Sequence, residues 1–186
     1  MALRNLTEEE LMQKISHNDA DAFQELLFRY EKKVFSLAWR LCLNQPEAED
    51  LTQETFLKIW RNAKLWKQEA KLETWIYRIL YNSFIDVRRR TKESTEEPTE
   101  VLYSNDDSPE QTLIKKQESQ TIANALKELP ERQKEALVLC YYQGMKAKEA
   151  AEVLSVSQSA LEALLFRARQ TLKDKLNKRE RKEGKK

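Results

Sequence analysis

Apolar residues recur at intervals of three and four along most of this chain, the spacing that collects side chains on one face of an α-helix. The clearest case follows Asp19, where Phe23, Leu26, Leu27, Tyr30, Val34, Leu37, Ala38 and Leu41 share one face of a long helix that Asp19 can cap. A short helix carrying Leu11 and Ile15 precedes it, with Thr7 and Glu10 at the spacing of a capping box. A third helix starts at Pro46, a residue suited to the first helical position, and turns Ala48, Leu51, Thr52, Thr55 and Ile59 inward. The fourth runs from about 72 to 90, with Trp75, Ile76, Ile79, Leu80, Phe84 and Ile85 apolar. It closes on Arg88, Arg89 and Arg90, where cations suit the helix dipole.

The periodicity fails over residues 91–112. Pro98, Pro109 and an Asn-Asp-Asp-Ser cluster interrupt a stretch with almost no apolar positions, too few to offset chain entropy by burial. A flexible acidic linker is expected there, dividing the chain into helical domains at 1–90 and 113–186. In the second domain two short helical patterns flank Ser155-Val156-Ser157. Ala150, Ala151, Val153, Leu154, Val156, Leu161, Leu164, Leu165, Ala168 and Leu172 form one seam across both, and Ser157 is placed as an N-cap. This is a helix-turn-helix pattern, whose second helix enters the DNA major groove while the first crosses the backbone.

Composition narrows the fold to all-α. Only two glycines and four prolines occur in 186 residues, and no apolar run reaches membrane-spanning length. With no signal-peptide core at the N-terminus, a cytoplasmic location without membrane insertion of its own is expected. The formal net charge of +2 conceals a polar distribution: residues 91–112 hold one lysine against seven acids, and 113–186 hold seventeen basic residues against ten acidic ones. Cys42 and Cys140 lie in separate apolar helical stretches and read as buried free thiols. His17, the single histidine, reads as a surface or capping residue.

The third helix carries a second face. Asp50, Gln53, Glu54 and Leu57 stand together, flanked by Phe56 and Trp60, and read as a solvated acidic face beside a core aromatic pair, with a carboxylate metal site as the other option. Its acids lack the histidine partners and the repeated motif of a helical carboxylate metal site. No nucleophile-base pair or phosphate-cradling glycine loop occurs in the chain, so no catalysis, metal or cofactor is expected.

Three blocks in order resemble bacterial sigma factors of the extracytoplasmic-function (ECF) group, in the sigma-70 superfamily. They are EAEDLTQETFLKIW at 47–60, LETWIYRILYNSFIDVRRR at 72–90, and the segment from LKELPERQKEALVLCYYQGMKAKEAAEVL through the Arg-Ala-Arg of 167–169. Residues 21–41 resemble the group's opening helix, so the likeness covers nearly the whole chain. The resemblance implies two small helical domains, a sigma2-like four-helix domain and a sigma4-like helix-turn-helix domain, that direct core RNA polymerase to promoters. It assigns Asp50, Gln53, Glu54 and Phe56 to the polymerase interface. For the −10 element it implies Lys64, Trp66 and Lys71 in the loop 62–71, where a flipped base would be received, with Trp75, Tyr77, Tyr81 and Asn82 lining or supporting that site. For Trp75 and Tyr77 core packing is an equal alternative. Arg78, Arg88, Arg89 and Arg90 would hold phosphates. For the −35 element it implies Ser157, Gln158, Ser159, Glu162, Ala163, Phe166 and Arg167, with Arg167 the candidate for a direct base contact. Glu162 and Leu164 depart from the group's more basic pattern, so base preference does not transfer from a relative. An anti-sigma factor is the further partner implied. A stand-alone helix-turn-helix regulator and a metal-dependent nuclease or modification enzyme built on the acidic helix are the rival readings.

Overall fold

The computed structural model describes residues 3–93 and 124–183, with side chains over 3–90 and 124–175. All regular structure among the described residues is helical, and the chain divides into two compact units, Met1–Val101 and Leu102–Lys186.

In the first unit a 3-10 turn at Leu3–Asn5 leads to α1 (Glu8–Ser16), α2 (Ala20–Cys42), α3 (Gln45–Asn62), a second 3-10 turn at Ala63–Leu65, and α4 (Leu72–Glu93). Local chemistry sets the boundaries. At α1 the Thr7 amide donates to Glu10 at 2.8 Å while the Glu10 amide donates to Thr7 Oγ1 at 3.2 Å, closing the expected capping box. Asp19 accepts from the Ala22 amide at 3.0 Å, a bond that holds its carboxyl below its ordinary pKa. Asn44 caps α3 through the Glu47 amide, so the helix starts at Gln45, one residue before the start expected at Pro46. Thr7→Ala should lower the melting stability of this unit by about 1 kcal/mol, read by thermal denaturation, because both capping bonds depend on that side chain or its geometry.

α2 is the spine: α1, α3 and α4 all pack on it, and α3 also packs on α4. Leu11, Ile15, Leu26, Leu37, Leu41, Ile59, Ile76 and Leu80 are buried at the centre. Arg29 fastens the start of the chain, donating to the carbonyls of Leu6 and Leu3 at 2.9 and 3.1 Å and to Glu25 at 2.7 Å. One of the apolar residues of α4, Ile85, is 38% exposed, and one expectation for this helix needs correction. The helix continues to Glu93, so Arg88, Arg89 and Arg90 sit before its terminus, where the dipole acts on them less. Beyond Glu93 the expected linker lies outside the described residues.

In the second unit residues 124–127 are helical, α5 (Glu131–Leu137) passes into a π-helical turn at Val138–Tyr142, and α6 (Ala147–Leu154) and α7 (Gln158–Glu183) follow. Gly144 takes φ +65° in the turn before α6, a conformation that favours glycine. Ser155 ends α6 in the left-handed region, and Ser157 Oγ accepts from the Ala160 amide at 3.2 Å to start α7. α7 packs on α5 and α6 through Leu161, Leu165 and Ala168, with Val156, Leu164 and Leu172 half-buried at the edge of the seam. Lys175 pins the other end by donating to the Glu128 carbonyl at 3.0 Å. Cys42 and Cys140 are thiols rather than a disulfide, and both are half-buried where full burial was expected; burial pushes the Cys140 thiol above its ordinary pKa. His17 is exposed at the C-cap of α1, its Nδ1 2.8 Å from the Gln13 carbonyl.

Candidate functional site

α3 is amphipathic in an unusual way, because its inward stripe includes two threonines. Thr52 and Thr55 are buried, and each hydroxyl is satisfied within the helix, donating to the carbonyls of Ala48 at 2.7 Å and Leu51 at 2.6 Å. With the polar groups of the inner face satisfied, the outer face is free to be acidic. Asp50 and Gln53 are exposed, and Glu54 is half-exposed. Phe56, grouped with them from the sequence, is only 5% exposed and meets Phe23 edge-on at 6.5 Å, so it supports this face from beneath. Trp60 does the same, 4.9 Å from the Phe23 ring.

Between α3 and α4 runs a cleft of about 360 Å³. Glu47, Asp50, Glu54 and Lys58 line it from α3, and Phe84, Asp86, Val87, Arg88 and Arg90 from α4. The sequence gives no warning that Arg88 and Arg90 share a cleft with Asp50 and Glu54, since only packing of α3 on α4 brings them together. Arg88 lies over the Phe84 ring at 5.3 Å, and Arg89 pairs with Asp86 at 3.4 Å. Lys58 is a residue that the sequence reading missed. It donates to Ser83 at 2.9 Å across the helices and pairs with Glu54 at 3.5 Å; the i,i+4 spacing of Glu54 and Lys58 was the available signal.

The proposed −10 residues separate into two groups. Arg78, Asn82 and Arg89 are exposed at spacings of four and seven on one face of α4, joined by Ile85. Arg78 makes no ion pair among the described residues. Trp75, Tyr77 and Tyr81 are buried, as the core-packing alternative for the first two requires. The Tyr77 hydroxyl donates to Glu73 at 3.2 Å, and Glu73 also receives Lys33 at 2.8 Å, linking α4 to α2. Burial and then the Glu73 charge raise the Tyr77 pKa far above its ordinary value, as burial and Glu8 do for Tyr30. In the preceding loop Lys64 and Lys71 are exposed, and Trp66 is half-buried. Its indole Nε1 is enclosed without an acceptor among the described residues. That arrangement leaves one part of the ring accessible while its polar edge faces inward.

In the second unit the proposed −35 residues lie on α7 or at its N-cap, outside its buried seam. Ser157, Gln158, Ser159, Glu162, Phe166 and Arg167 are exposed, and Ala163 is half-buried. Phe166 is 61% exposed, a large apolar surface open to solvent. The Arg167 guanidinium forms no ion pair among the described residues. Among the described residues no group of three or more His, Cys, Asp or Glu could hold a metal ion, and no helix is long and apolar enough to cross a membrane.

Comparison with known proteins identifies both units. The Sigma-70 region 2 family matches residues 26–94, and Sigma-70 region 4 matches residues 119–172. The chain is 35% identical over 161 residues to the ECF RNA polymerase sigma factor SigE of Mycolicibacterium smegmatis, covering 84% of this chain and 62% of that longer relative. It is 30% identical over 165 residues to the RNA polymerase sigma factor YlaC of Bacillus subtilis, covering 85% of this chain and 94% of the relative. In fold it resembles the sigma factor RpoE from Bartonella quintana, solved with the anti-sigma factor NepR, at a TM-score of 0.68 and 23% identity over 83% of this chain and 96% of that one.

Proposed function

This chain belongs to the sigma-70 family, in its ECF group, and from that premise we propose that it binds core RNA polymerase and directs it to a specific set of promoters. The observation that carries this reading is the cleft between α3 and α4, with Asp50 and Glu54 on one wall and Arg88 and Arg90 on the other. Asp50 and Glu54 suit basic residues on a helical partner, Arg88 and Arg90 suit acidic ones, and the exposed side chain of Val87 beside them suits an apolar contact. Arg88 and Arg90 are therefore assigned to the same interface as Asp50 and Glu54, while Arg78 and Arg89 are left for promoter phosphates. The exposed face of α7 would read the −35 element in the major groove.

The chain's part in initiation is binding and melting, with no catalysis of its own. Polymerase supplies the chemistry; this subunit supplies the address. Such a role places it with chromosomal DNA in the cytoplasm. An anti-sigma factor is a fitting second partner, because any protein that covered the α3/α4 cleft would exclude polymerase from it.

Capture of core RNA polymerase by the tagged chain, followed by run-off transcription on genomic DNA and mapping of start sites, tests the reading. Polymerase-dependent starts sharing an upstream motif are expected. Tight binding to promoter duplex without polymerase would favour the stand-alone regulator, and metal-dependent turnover of DNA the enzyme.

Melting has its own test. Trp66→Ala should leave polymerase capture unchanged and reduce open-complex formation on duplex promoters, followed by permanganate reactivity. A premelted bubble should restore most of the loss, because unpairing costs a few kcal/mol that the template then no longer requires. Equal loss on duplex and bubble would assign Trp66 to folding.

A further inference from the structure

The first turn of α7 holds a hydrogen-bonded polar pair. Gln158 is the first residue of α7 and Glu162 lies one turn later, both exposed, and the Gln158 Nε2 donates to a Glu162 carboxylate oxygen at 3.0 Å. A carboxylate only accepts, so this bond fixes which end of the carboxamide is the nitrogen. The neighbouring polar groups are engaged with one another: Ser157 Oγ accepts from the Ala160 amide and lies 3.0 Å from Ser159 Oγ. Gln158 alone in this turn keeps an oriented donor and acceptor side by side, its second N–H and its carbonyl oxygen.

One donor beside one acceptor complements the N7 acceptor and N6 amino donor of adenine in the major groove. Guanine presents two acceptors there and would set O6 against the glutamine carbonyl. We propose that Gln158 reads an adenine of the upstream promoter element by a bidentate pair, with Glu162 as the positioning residue that holds its carboxamide. The inference rests on α7 being the recognition helix, as proposed above. It also accounts for an acid on a surface expected to approach phosphates: its charge is directed at Gln158.

The test uses the full chain assembled with core polymerase and promoter duplexes randomised across the upstream element. Wild type should prefer adenine at one position by roughly 5- to 150-fold over the other bases. Gln158→Ala should abolish that preference and no other, and Glu162→Ala should weaken it at the same position. Glu162→Gln should retain it, because its carbonyl can still accept from Gln158. Replacing that adenine with 7-deazaadenine, which lacks the N7 acceptor, should weaken wild type and leave Gln158→Ala unaffected. Retention of every adenine preference by Gln158→Ala would overturn the assignment. An effect of Glu162→Ala at a different position, or equal losses for Glu162→Ala and Glu162→Gln, would overturn the positioning role. A wild-type holoenzyme that selects no upstream sequence would instead defeat the recognition-helix reading itself, and this inference with it.

Discussion

Reversing two charges on α3, Asp50→Lys with Glu54→Lys, is expected to weaken capture of core RNA polymerase by about 2 kcal/mol or more, roughly thirtyfold, with folding preserved. Asp50 is exposed and Glu54 half-exposed, and the one ion pair lost, Glu54 with Lys58 at 3.5 Å, is a surface i,i+4 pair of small worth. Helicity by circular dichroism and the melting temperature should therefore stay close to wild type. Binding should not, because two lysines would face the partner from a wall of the cleft that also holds Arg88 and Arg90 opposite. Wild-type affinity in the double mutant, measured by titration with core polymerase, would remove the α3 assignment.

Arg167→Ala should cost about 1 to 3 kcal/mol of promoter affinity and relax base preference at one or two upstream positions. The side chain is exposed on the outer face of α7, and its guanidinium has no ion-pair partner among the described residues, so its removal should leave the unit's stability unchanged. Truncation from Asn177 onward is the contrasting change. It removes a run rich in lysine and arginine that lies along the chain past Arg167, and it should weaken binding to all sequences alike and flatten the dependence on salt. A panel of promoter variants at two salt concentrations separates the two. A uniform loss for Arg167→Ala, with unchanged sequence preference, would make that residue a phosphate clamp.

Taken with the Gln158 and Glu162 pair, these expectations divide promoter recognition by side-chain chemistry. Gln158 carries a fixed donor and acceptor, Arg167 carries donors alone, and Phe166 offers apolar surface of the kind that meets a thymine methyl. Variants at the three positions should thus alter preference for different bases, whereas changes at Arg78 and Arg89 on α4 should weaken binding without altering preference.

Sequence by itself determined the helices, their caps and the family. Capping is a matter of a few adjacent residues, so Thr7 with Glu10, Asp19 and Ser157 could be read directly, and the three-to-four spacing identified Leu26, Leu37, Ile59 and Leu161 as core. The exposed face of α7 was legible for the same reason: once one stripe of a helix is buried, the opposite one is fixed by the helical repeat. Tertiary structure decided what depends on two helices meeting. Aromatic side chains on α4 suit either a core or a base, and only the packing of α2 and α3 against it buries Trp75, Tyr77 and Tyr81 while leaving Arg78 and Asn82 outside. Likewise the distance in sequence between Glu54 and Arg88 carries no information about their sharing a cleft. Periodicity gives the direction in which a side chain leaves its own helix; what it meets there is set by the neighbouring helix, whose position no local pattern encodes.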